Sequence, residues 1–171
     1  MPPEHRTVIE LRRLLRDNEA DAIVLDALRA EISVMNSRPG PLGPEAAAYL
    51  AVKLHAWYTA FESILERIAR VVEGGLPGGP SYHQDLLRGM TLPLAVVRPA
   101  VIDSTRLGDL AELLAFRHFF RHAYAVALDE AELRNHAVRL ERTHPGVRED
   151  LRCFEQVVLG WIQKLEGAAT S

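Results

Sequence analysis

The chain reads as an all-α protein, an up-and-down bundle of about five to six helices. Three observations lead there. Apolar residues recur at three- and four-residue intervals through nearly every periodic stretch. No stretch alternates apolar and polar residues between hairpin turns, as paired strands do. Pro- and Gly-rich segments separate the periodic runs, which suits neighbouring helices joined by short loops.

The elements follow in order. Val8, Leu11, Leu14, Leu15, Leu25, Leu28, Ile32 and Met35 predict one long helix over roughly residues 4–36, or two helices broken near Asp17 and Asn18. Residues 38–44 hold three prolines and two glycines and form a loop. Pro44 suits the first turn of the next helix, where its missing N–H has no bond to lose. That helix carries Leu50, Leu54, Trp57, Phe61, Ile64, Leu65, Ile68 and Val71 inward, and Lys53, Glu62, Glu66 and Arg70 on its opposite face. Over residues 44–73 it would run about 45 Å at 1.5 Å per residue, the length of a central stave. Residues 74–80 end it with glycines and prolines. Ser81 with Gln84 has the form of a capping box, opening a short helix through Leu86, Leu87 and Met90 that Pro93 closes. Pro99 begins a turn, and a further helix starts near Thr105 or Arg106. Asp129 with Glu132 caps the next, which Thr143, His144, Pro145 and Gly146 are expected to break. A last helix faces Phe154, Val157, Val158, Trp161 and Leu165 inward.

A length of 171 residues suits one domain over 1–171 and can bury a real core. Within it, 1–38 forms an N-terminal helical segment and 44–166 the core. Hydrophobic residues make up 48% and charged residues 25%, an ordinary globular balance. A net charge of −3 argues against a general nucleic-acid coat but leaves room for a local site. Cys153 is the single cysteine, so no intrachain disulfide can form, and a cytoplasmic location is expected. The N-terminus has no apolar signal core, and no run approaches a membrane span. Cys153 reads as packed.

The most distinctive stretch is 117–124. It puts Arg117, His118, Arg121, His122 and Tyr124 into little more than two helical turns, and no acidic residue interrupts Leu113–Leu128. On a helical wheel Leu113, Phe116, Phe119 and Phe120 take one side, predicting buried phenylalanines. Arg117, His118, Arg121 and His122 take the other, predicting an open face, with Tyr124 at the boundary. Exposed helices usually mix Glu with Lys or Arg. An Arg/His/Tyr face without local counter-charge suits an anion, phosphate above all. Other candidates are weaker. Trp57 belongs to the core. His83 starts a helix and reads as a capping or packing residue. His136 and His144 lie eight apart across a break, and His118 and His122, with which they could be grouped, lack an adjacent Glu or Asp, so no metal and no cofactor are expected. Arg134, Arg139, Arg142, Arg148 and Arg152 alternate with acidic residues and read as a solvated face.

Arg117-x4-His122-x-Tyr124, late in a small helical bundle, resembles the motif of the HEPN superfamily and especially of HepT-like proteins. Leu54 to Glu62 looks like the family's central helix, and the Gly/Pro loop before Ser81, Tyr82 and His83 looks like its inter-helix segment. His118 stands where the family prefers Asn. The resemblance implies a HEPN-like bundle and a toxin ribonuclease that acts without metal. It also implies a homodimer and a minimal nucleotidyltransferase antitoxin that transfers AMP to the motif tyrosine. Arg117 and His122 would then be catalytic, His118 and Arg121 would bind the RNA substrate, and Tyr124 would be modified. Two other readings fit the same residues: a catalytically silent HEPN subunit that binds a nucleotidyltransferase, and a plain helical dimerisation module.

Overall fold

The computed structural model describes residues 3–122 and 128–168, with the side chains of Pro3, Glu4 and His122 excepted. It contains five α-helices: α1 (Pro3–Asn36), α2 (Pro44–Ile68), α3 (Tyr82–Met90), α4 (Leu107–His122) and α5 (Glu130–Ala168). A π-helical turn, Ala69–Glu73, extends α2, and a 3-10 turn, Ser104–Arg106, leads into α4. Among the described residues there is no strand, only an isolated bridge between Leu94 and Arg98, and no helix is long and apolar enough to cross a membrane.

α1 is continuous through Asp17 and Asn18. Its buried face runs Leu11, Leu14, Asn18, Ala22, Leu25, Leu28, Ile32 and Met35 at three- and four-residue steps. Asn18 is tolerated there because its Oδ1 accepts a bond from Arg67 at 2.7 Å, while Asp21 pairs with the same guanidinium at 2.6 Å. α2 is the central stave. It packs against α1, α3, α4 and α5 and buries Leu50, Leu54, Trp57, Tyr58, Phe61, Ile64, Leu65 and Ile68. Each such side chain contributes roughly 1.5–3 kcal/mol by leaving water. Gly74 ends the π turn in the left-handed region, with φ 80.

Four expectations are corrected. Residues 143–146 do not break the last helix: α5 is continuous, with Pro145 inside it. The proline sacrifices one helical bond, but anchors on either side hold the chain. Thr143 donates to Asp109 at 3.0 Å, Trp57 Nε1 donates to His144 Nδ1 at 3.1 Å, and Val147 is buried. Gly146 serves a neighbour, because a Cβ there would lie 2.4 Å from the Arg106 guanidinium that pairs with Asp150. Second, the capping box at Ser81 is not formed. The Ser81 hydroxyl makes no cap bond and turns instead to Asp85. Third, Cys153 is exposed rather than packed, since α5 turns Leu151 and Phe154 inward instead. Fourth, the α5 arginines tie helices together as well as meeting solvent: Arg139 and Arg142 bind Asp109 of α4, Arg148 binds Asp26 of α1, and Arg134 reaches the carbonyl of Asn36. The cap at Asp129 does form, its carboxylate accepting from the N–H groups of Ala131 and Glu132.

Candidate functional site

The site begins on α2. His55, Thr59, Glu62 and Glu66 are spaced four, three and four residues apart, so they share one side of an otherwise apolar helix. That stripe faces α3 and α4. Glu62 is 4% exposed. A carboxylate so placed needs partners for both oxygens, and it has them. Oε2 meets Arg117 at 2.9 Å, and Oε1 meets His83 Nδ1 at 2.6 Å. Arg117 also donates from Nε to Thr59 Oγ1 at 3.4 Å. Its third nitrogen, NH1, is buried and makes no hydrogen bond.

α3 and α4 complete the cluster. The His83 ring lies 4.9 Å from the His118 ring, edge to face, and 4.7 Å from that of Tyr82. Pro80, Ser81, His83, Gln84 and His118 line a cavity of about 290 Å³. The Tyr82 hydroxyl donates to Glu66. Burial, and then the negative Glu66, raise the Tyr82 pKa. Burial, and then the negative Glu62, also raise that of Tyr58, while Arg117 opposes them. On the other side of Arg117, the His55 ring packs 5.5 Å from Phe120. Burial lowers the His55 pKa, and the charges of Arg117 and Arg121 lower it further. The result is a half-buried polar seam between three helices, in which one carboxylate joins an imidazole to a guanidinium.

A family model described as HepT-like protein matches residues 49–158, well over half of the chain. The chain is a HepT-like protein. No curated protein and no solved structure matches it significantly. The matched span covers the whole polar seam and the Arg117-x4-His122-x-Tyr124 motif. The family suggests a HEPN-type component of a toxin–antitoxin system.

The HepT-like protein places Arg117 and Phe119 differently from the wheel. Arg117 is buried, 8% exposed, where an open position was expected, and Phe119 is 49% exposed where burial was expected. Phe120 is only partly buried. The buried face of α4 is Leu110, Leu113, Leu114, Phe116 and Arg117. It is rotated toward α2 because Glu62 receives the guanidinium there. The missing counter-charge is therefore non-local. Glu62 itself corrects the expectation that it faces outward with Lys53 and Arg70. His118 lines the cavity beside His83, and Arg121 is exposed. His122 is the last residue of α4, its side chain outside the described atoms, and Tyr124 lies outside the described residues.

Periodicity missed Glu62, Thr59 and His83. The available signal was the polar spacing 55, 59, 62, 66 inside an apolar helix. His83 is more than a capping residue, since it shares the buried carboxylate with Arg117. His144 is bound within the core between Trp57 and Asp26. Among the described residues no three His, Cys, Asp or Glu side chains form a group suited to a metal.

Proposed function

We infer that this HepT-like protein is the toxin of a toxin–antitoxin pair and a metal-independent endoribonuclease, restrained by a minimal nucleotidyltransferase. The observation that carries the reading is the motif itself, inside the matched span, with its arginine seated on a buried carboxylate. Two of the three Arg117 nitrogens are engaged by Glu62 and Thr59. NH1 is buried and left unpaired, and it would suit an oxygen of the pentacoordinate phosphorane once bound RNA displaces the groups that cover it. Arg117 is thus better suited to stabilising charge through a single fixed donor than to a bidentate clamp. Arg121, being exposed, and His118, at the cavity, suit the incoming phosphate.

RNA cleavage without metal needs a base for the 2′-hydroxyl and an acid for the leaving oxygen. His122 cannot be both at one instant. On an ideal helix Arg117 and His122 lie about 140° apart. Both facts favour a symmetric homodimer that brings two motif sets to one cleft. AMP on Tyr124 would add bulk and a phosphodiester charge near Arg121 and obstruct RNA. The reading is tested by substitution. His122→Ala and Arg117→Ala should each lower RNA cleavage at least about a hundredfold. Cleavage that survives both substitutions would overturn it.

One observation favours a second reading. Glu62 already neutralises Arg117, as a scaffold that binds a nucleotidyltransferase without cutting RNA could afford. A stable complex with that partner, without RNA cleavage by the free protein, would select it.

A further inference from the structure

We propose that His83 is a second catalytic imidazole of this site, accepting the proton of the RNA 2′-hydroxyl, with Glu62 as its positioning residue. The proposal rests on the ribonuclease reading above.

The Glu62 carboxylate paired with Arg117 can only accept hydrogen bonds, so the 2.6 Å contact at Oε1 is made by a proton on His83 Nδ1. In the neutral ring that contact fixes the tautomer and leaves the lone pair on Nε2, on the opposite edge. The ring is held by the Glu62 contact at one edge and by the Tyr82 and His118 rings, 4.7 and 4.9 Å away and steeply inclined to it. Its side chain is 23% exposed, while that of Glu62 is 5% exposed. The pair therefore joins a buried carboxylate to a partly exposed imidazole. His83 and His118 line the same cavity of about 290 Å³, and His122 follows His118 by one helical turn. A carboxylate that holds an imidazole by Nδ1, leaving Nε2 to take a proton, is the arrangement a general base requires. Here the same carboxylate also seats Arg117, so one buried group would set both the proton acceptor and the charge stabiliser.

The step balances as follows. His83 Nε2 takes the 2′-hydroxyl proton as O2′ bonds to phosphorus. The bond from phosphorus to O5′ breaks, and O5′ takes a proton from the His122 imidazolium. The products are a 2′,3′-cyclic phosphate and a 5′-hydroxyl. The two imidazoles then re-equilibrate their protons through water. Acid and base would come from one protomer, so the acid–base count would not by itself demand a second copy.

The test uses the full chain, wild type and His83→Ala, on single-stranded RNA across a range of pH, with circular dichroism and melting to confirm the fold. His83→Ala should lose at least about a hundredfold in cleavage rate. The acidic limb of its pH–rate profile should change, because the base that must be deprotonated is gone, and added imidazole should restore part of the rate. Cleavage within about twofold of wild type, or an unchanged acidic limb on the residual activity, would overturn the proposal and leave the ribonuclease reading standing. Wild-type protein that cuts no RNA would overturn both.

Discussion

Removing the Glu62 carboxylate has a consequence that can be sized from the geometry. In Glu62→Ala the Arg117 guanidinium keeps its position among buried neighbours, with a side chain 10% exposed, and loses its counter-ion. His83 loses its Nδ1 partner at the same time. Breaking a buried pair by removing one member costs about 3–5 kcal/mol, because the remaining charge is left uncompensated. For a chain of this length that corresponds to a fall in Tm on the order of 10 °C. Replacing both partners, as in Glu62→Leu with Arg117→Leu, removes the stranded charge and should recover most of the loss. Urea titrations of the wild type, Glu62→Leu, Arg117→Leu and the double Leu variant close the cycle. The expected coupling is a few kcal/mol, of the order of the single losses. A Glu62→Ala protein within about 1 kcal/mol of wild type would refute the buried pair, since that is the range of exposed ones.

Three further outcomes follow from particular residues. His144 accepts from Trp57 at Nδ1 and so donates from Nε2 to Asp26; protonating it would set two N–H groups against each other. Burial lowers the pKa of His144, as it does for His55 and His136, below the ordinary 6.5. The folded state therefore binds fewer protons than the unfolded one just below that pH. Stability should be fully present above about pH 6.5 and decline as pH falls below it, with a shallower decline in His144→Gln followed by thermal melts. Val96 holds φ 58 with its side chain fully exposed, so Val96→Asn should stabilise by about 1 kcal/mol by urea titration; a loss instead would mean the turn is not strained. A minimal nucleotidyltransferase of the proposed kind, given ATP, should add AMP to the wild type but not to Tyr124→Phe by intact mass, and labelling that persists in Tyr124→Phe would move the site.

The helices were legible because apolar spacing is a local property. α2 and the Asp129 cap lie where Leu50 to Ile68 and the 129–132 pattern put them. The turn of α4 was not legible. A wheel assigns Arg117 outward by residue class, and the reason it lies inward is a carboxylate on another helix. The same holds for α5: Pro145 and Gly146 carry a local stop signal, yet Trp57, Asp109 and Arg106 supply non-local reasons to continue. The motif spacing was visible in the sequence, but the Glu62–His83 contact behind it became visible only once three helices were packed.

The central claim is that this chain cuts RNA through its own side chains. The most direct measurement is incubation of purified wild-type protein with single-stranded RNA in excess chelator, followed by end-group analysis of the fragments. The account predicts cleavage undiminished by chelator, giving 2′,3′-cyclic phosphate and 5′-hydroxyl ends, and its collapse in His122→Ala. Cleavage that requires Mg²⁺, or fragments carrying 5′-phosphate and 3′-hydroxyl ends, would contradict it.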